Sequence, residues 1–240
     1  MGDHTYKAKD GRILPSVTTV IGDIKKENFS GWHASLRKKG IDPAWELNRL
    51  GDIGTICHYR VLSKISPTPI DEPDMPVRLY PENAMTYADH FEMMWDELGL
   101  IVKRATCERK CVDEKKGYCG TFDCAGVVTG EIRDKKHGQV INLRNARCLI
   151  DLKTSVEAKE KHFLQLGAYS GFFKEKPEYG LVICLCPYTY DMHSGKPKNP
   201  NLIPKVWLLT EKELAKYRRE FYKMLKEWWE MQQNSARVRV

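Results

Sequence analysis

The stretch CLIDLKTS, residues 148–155, sets Asp151 and Lys153 two positions apart in a run that otherwise reads as a buried strand. Side chains alternate along a strand, so Asp151 and Lys153 share one face and Ile150 and Leu152 the other. Two opposite charges are therefore expected to leave the core side by side. Taken alone, such a pair reads as a salt bridge. A second carboxylate opens another reading. Asp123 ends the run GTFD, whose glycine permits close approach of a ligand or a neighbouring backbone. Carboxylates on adjacent strands form a hard-oxygen site suited to Mg²⁺ or Mn²⁺, completed by waters and a substrate phosphate. Beside such an ion, Lys153 can orient or help deprotonate a water attacking phosphorus, and can offset charge in the transition state.

Downstream, HFLQLGAY places Gln165 and Tyr169 four apart on an expected helix, with His162 three positions earlier on the same face. This polar stripe either stands over the metal site or is the solvated side of an amphipathic helix.

The elements that must hold these residues follow from the pattern. RILPSVTTVIG reads as an extended entry, GWHASLRKKG as a short helix, and Pro43 to Ile65 as a longer helix containing His58. A proline-rich loop from Ser66 to Pro81 precedes another helix that Gly99 ends. Two strand-like runs around DEKKGY predict a hairpin. Between Thr129 and Arg147, the cations Arg133, Lys135, Lys136, Arg144 and Arg147 suggest a protruding basic hairpin or loop, which either tracks phosphate or is merely solvated. A helix, two buried strands and a long C-terminal helix complete an α/β or α+β domain. That last helix opens on Thr210 with Glu213 three residues on, a capping-box pattern.

At 240 residues and 42% hydrophobic, the chain can enclose one substantial core, so one domain is expected. No apolar run approaches the roughly 18 residues that span a bilayer, and a soluble, intracellular, cytoplasmic protein with no membrane partner is expected. The 39 basic against 32 acidic side chains leave a net charge of +7, which favours polyanionic partners without requiring them. The eight cysteines follow no disulfide framework and read as reduced core thiols.

In their order, GTICH, GTFD, IDLKTS and QLGAY resemble the PD-(D/E)XK nuclease superfamily, within it the RecB-like branch with an upstream histidine and a Q-x-x-x-Y motif. PSVTTVI followed by Trp32 further resembles the phage and mitochondrial exonucleases of that branch. The resemblance runs from about Pro15 to Tyr169. It implies an α/β fold with a restriction-endonuclease-like core, a mixed central sheet flanked by helices, over residues 100–240 under an N-terminal helical cap over residues 1–99. It also implies that His58, Asp123 and Asp151 bind Mg²⁺ or Mn²⁺ with the backbone carbonyl of Leu152. Lys153 is then the catalytic lysine, and Gln165 and Tyr169 fix the lysine side or the scissile phosphate by hydrogen bonding. Glu108, in CERKC, stands where related sequences often carry a glutamate, as a structural ion pair or as a contact to metal or DNA. The spacing from Asp123 to Asp151 is longer than usual for the family.

The function so implied is a metal-dependent DNA exonuclease acting on ends, with a preference for single strands. His162, Arg133, Lys135 and Lys136 are candidate nucleic-acid contacts. Trp32 either stacks on a base or staples the N-terminal segment. The alternatives are an iron-sulfur CRISPR-associated nuclease of the same superfamily and a non-catalytic nucleic-acid binding module. Against the first, only Cys184 and Cys186 follow the Q-x-x-x-Y helix, and C-x-C on a strand points its thiols to opposite faces. The run Cys107, Cys111, Cys119, Cys124 lacks the C-x-x-C turns of a zinc site. With no phosphate-binding Walker loop, a helicase or other replication partner has to be a separate chain.

Overall fold

The computed structural model of the protein describes residues 6–74, 81–185, 189–190, 197–198 and 203–237. Part of the proline-rich loop, and Cys186, lie outside them.

A small ribbon, β1 (Tyr6–Lys7) with β2 (Ile13–Leu14), leads into α1 (Val17–Ile24), α2 (Ser30–Lys38), α3 (Pro43–Ile65) and α4 (Pro81–Glu97). The extended entry therefore ends at Ser16, and VTTVI is helical. The Ser16 hydroxyl accepts the Thr19 N–H at 3.0 Å, and this N-cap outweighs the strand preference of the β-branched residues behind it. Asp42 caps α3 in the same way, with Pro43 in its first turn.

The strands are β3 (Ile101–Asp113), β4 (Tyr118–Asp134), β5 (Gln139–Lys153), β6 (Tyr179–Cys184), β7 (Thr189–Tyr190), β8 (Pro197–Lys198) and β9 (Lys205–Thr210). They are joined by α5 (Glu160–Ser170) and followed by α6 (Glu211–Arg237). The mixed five-stranded sheet runs β3-β4-β5-β6-β9, with β5 and β6 parallel and the other neighbours antiparallel. Both faces of its centre are buried. On one side Ile150, Leu152, Ile183 and Leu208 pack with α3 and α4 through Ile53, Ile56, Phe91 and Trp95. On the other, Leu149, Val182 and Leu209 pack with α1, α5 and α6 through Val20, Leu166, Phe221 and Leu225. This is a mixed α/β fold with helices on both sides of the sheet. The helices of residues 1–99 consequently divide: α3 and α4 cover one face, while α1 joins α5 and α6 on the other. No helix among the described residues is long and apolar enough to cross a membrane.

The basic segment 129–147 is the hairpin that its sequence suggests, but it does not protrude. β4 and β5 continue through it and close at Asp134↔Gln139. A register shift after Val128, with Asn145 at φ 51°, bends the hairpin so that Ile132 and Leu143 join the core beside Val206 and Leu208. Asp134, 2% exposed, pins the tip by accepting the Leu208 N–H and the Lys136 N–H, each at 2.9 Å. A buried carboxylate held by backbone donors is a strong anchor.

Candidate metal centre

The site forms where β4 and β5 part. Their ladder pairs Cys124 with Ile150, and beyond that point the freed Leu152 N–H donates instead to Asp123 Oδ2 at 2.7 Å. From the opposite side, α3 brings His58, whose Nδ1 lies 3.6 Å from the same oxygen and whose ring stacks on Phe91 of α4 at 6.1 Å. From β3 comes Glu108, between Cys107 and Arg109, which pair with Cys124 and Phe122 on either side of Asp123. One ligand atom each from His58, Glu108 and Asp123 lie within 4.8 Å of one another, a group that can hold a metal ion. Glu108 adopts φ 48°, a left-handed conformation rare for a non-glycine residue inside a strand. Strand alternation therefore gives no warning of where its carboxylate points.

Asp151 and Lys153 do not leave the core as alternation alone suggests. Asp151 is 1% exposed, because its face of β5 is covered by α5. The Lys153 ammonium pairs with its Oδ2 at 2.7 Å. Apart from that ion pair, neither Asp151 oxygen accepts a hydrogen bond. Burial raises the Asp151 pKa, with Asp123 adding to the shift and Lys153 opposing it. For Lys153, burial pulls the other way, but Asp151 and Asp123 outweigh it and the pKa is raised.

The remaining electrostatics concern His58 and Glu108, the histidine and the glutamate of this group. Burial holds the His58 pKa below its usual value against the pull of Asp123, which favours the neutral imidazole that ligates metal. Glu108 is exposed as a residue, but its carboxyl is crowded into the cleft and beside Asp123, and its pKa is pushed up to about 7. Two carboxyl groups and a neutral imidazole lie together, with the buried, Lys153-paired Asp151 one residue from the Leu152 N–H that holds Asp123. This donor set fits a hard divalent cation.

Gln165 and Tyr169, one turn apart on α5, both face the cleft. Gln165 Nε2 donates to the Tyr169 hydroxyl at 3.4 Å, and both line a cavity of about 600 Å³ with His58, Glu108, Asp123 and Lys110. The glycine of GTFD serves this arrangement. A Cβ on Gly120 would lie 2.6 Å from Tyr169 Cε1, so it is the tyrosine ring that approaches there. On the far side of Gln165 a second cavity of about 450 Å³ is lined by Lys153, His162, Thr18 and Phe29. Thr18 and Gln165 border both cavities.

The expected nucleic-acid contacts are scattered. His162 is 6% exposed and caps α5, its Nδ1 accepting the Lys159 N–H at 3.2 Å. Burial and nearby lysines depress its pKa to about 3, so it is neutral. Lys136 is tied to Glu213 at 2.5 Å and lies over the Phe163 and Tyr217 rings, so its charge is engaged against α5 and α6. Arg133 and Lys135 are exposed on the same docked tip. Trp32 packs at 6.2 Å from Phe29 and 5.4 Å from His33, a local aromatic cluster. The described cysteines are free thiols, five of them buried. Lys110 and Thr18, which line the cleft, carried no sequence signal beyond their polarity.

No family model and no curated protein matches the chain. Among solved structures, the crystal structure of SSO0001 aligns with a TM-score of 0.23 and 16% identity, over 60% of this chain and 61% of that one. The chain thus spans less than two thirds of that protein's length, and a likeness this distant carries no argument.

Proposed function

We propose that this protein is a divalent-metal-dependent deoxyribonuclease with a PD-(D/E)XK, restriction-endonuclease-like core, acting as an exonuclease on single strands. The observation that carries the reading is the convergence of His58, Glu108 and Asp123 at the parting of β4 and β5, one residue from a buried Asp151–Lys153 pair.

His58, Asp123, Asp151 and the Leu152 carbonyl would hold Mg²⁺ or Mn²⁺, and Glu108 extends the donor set. Such an ion, when bound, polarises a phosphoryl oxygen and makes a water acidic enough to attack at neutral pH. Lys153 Nζ, held charged by two carboxylates, orients that water and offsets the charge that grows on phosphorus. Asp151 fixes the lysine, and the Leu152 N–H fixes Asp123. Gln165 and Tyr169 close the cleft above them and position the phosphate by hydrogen bonding.

The test is degradation of end-labelled linear single-stranded DNA with Mg²⁺, Mn²⁺ or a chelator. Release of mono- or short oligonucleotides with either metal, and none with chelator, is expected. Metal-independent release, or none under any condition, contradicts the proposal.

A further inference from the structure

Among the described residues, cations without a side-chain partner occur on the hairpin tip, at Arg133 and Lys135, and again in a row along one edge of the sheet. β3 is an edge strand, paired along its length with β4 alone, and it exposes Lys103, Arg104, Arg109 and Lys110. Among the described residues none of the four forms a hydrogen bond or an ion pair through its side chain. Arg147, by contrast, is held by Glu175 at 3.1 Å and Glu178 at 3.4 Å.

The row joins two cavities. Lys110 lines the cleft that holds Glu108 and Asp123. Lys103 and Arg104 line a separate cavity of about 570 Å³ with Val127, Asn145 and Arg147. Lys103, Val127 and Arg147 are register partners in one cross-strand row, so two cations flank one apolar residue on the same face. Lys110 lies seven positions after Lys103, roughly 23 Å along a strand.

Charges and irregular backbone also guard an exposed edge against pairing with another chain. That role explains cations and an irregular backbone on β3, but not an arginine where the backbone favours glycine, nor where the row ends. Arg104 sits at φ 52°, where glycine would be unstrained, and its side chain makes no ion pair or hydrogen bond to offset the conformation. Moreover, the row ends inside the candidate site rather than beside it.

We infer that β3 is the track on which the phosphodiester backbone of a single strand lies beyond the site, its phosphates paired with Lys103 and Arg104 at one end and Lys110 at the other. The inference rests on the nuclease reading and extends it to the substrate's path.

The experiment measures binding of a labelled 20-nucleotide single strand over a range of salt, in chelator so that no cleavage occurs. Each phosphate contact contributes about 0.7 to the slope of log affinity against log salt for single strands. The variant K103Q/R104Q should therefore bind more weakly at low salt, with a slope shallower by about 1.4. A second variant, Arg104→Gly, relieves the left-handed strain, so its melting temperature should be equal to or above wild type while its slope falls by about 0.7. Slopes equal to wild type in both, with wild type binding DNA, overturn the track and leave the nuclease reading standing. A wild-type protein that neither binds nor cleaves DNA overturns both.

Discussion

At the scale of single residues, Glu108 and Asp123 repel one another across the cleft, and a divalent cation between them would relieve that repulsion. Asp123→Asn should weaken Mn²⁺ binding, measured by calorimetry, more than His58→Ala does, because the histidine is a neutral ligand and leaves the carboxylates in place. Glu108 supplies a pH test. Its pKa is raised from 4.5 to about 7, so between those values the folded protein binds more protons than the unfolded chain. Stability of the metal-free protein should therefore fall as pH rises through that window, with Asp151 shifting it in the same direction. Added Mg²⁺, which binds the deprotonated acids, should raise the melting temperature more at pH 8 than at pH 6. Glu108→Gln should flatten that difference. A melting temperature that rises with pH in the metal-free protein, and does not respond to Mg²⁺, would contradict the assignment.

At the scale of elements, two close contacts decide whether the residues meet. Gly120→Ala pushes a methyl group against the Tyr169 ring. It should cost about 1–3 kcal/mol in denaturant unfolding, with a loss of turnover beyond what stability explains. Asp134→Ala leaves the Leu208 and Lys136 N–H groups without their acceptor and should free the hairpin tip. Hydrogen exchange at residues 135–138 should then quicken while the far end of β5, around Asp151, stays protected. The sequence made the helices α3 and α5 and the buried strands legible, because hydrophobic periodicity and caps are local signals. It did not show that the basic hairpin is docked, since a run of Lys and Arg reads the same on a free tip and on a tip that one buried aspartate pins. The PSVTT segment misled for the opposite reason: one serine cap outweighs several β-branched residues. Of the site, Asp123, Asp151 and Lys153 could be picked out by type and spacing. The place of Glu108 in the cluster could not, because a left-handed φ overrides strand alternation.

At the scale of the molecule, helices on both faces leave the acids at the bottom of a cleft walled by α1, α3 and the β4 strand, with cavities on either side of Gln165. A strand that must pass between these walls enters by an end more readily than as a closed loop. Linear single-stranded DNA should be degraded while covalently closed single-stranded circles persist over the same period. Equal rates on gel analysis would indicate an open site and endonucleolytic cleavage. The account as a whole turns on one side chain, since Lys153 pairs with the buried Asp151, lines the cavity on the far side of Gln165, and among the described residues forms no other ion pair. The most direct measurement is Mg²⁺-dependent turnover of linear single-stranded DNA by Lys153→Ala beside wild type, with DNA affinity measured in parallel. The account predicts a loss of about 100-fold or more in turnover with affinity little changed, whereas near wild-type turnover in Lys153→Ala would contradict it.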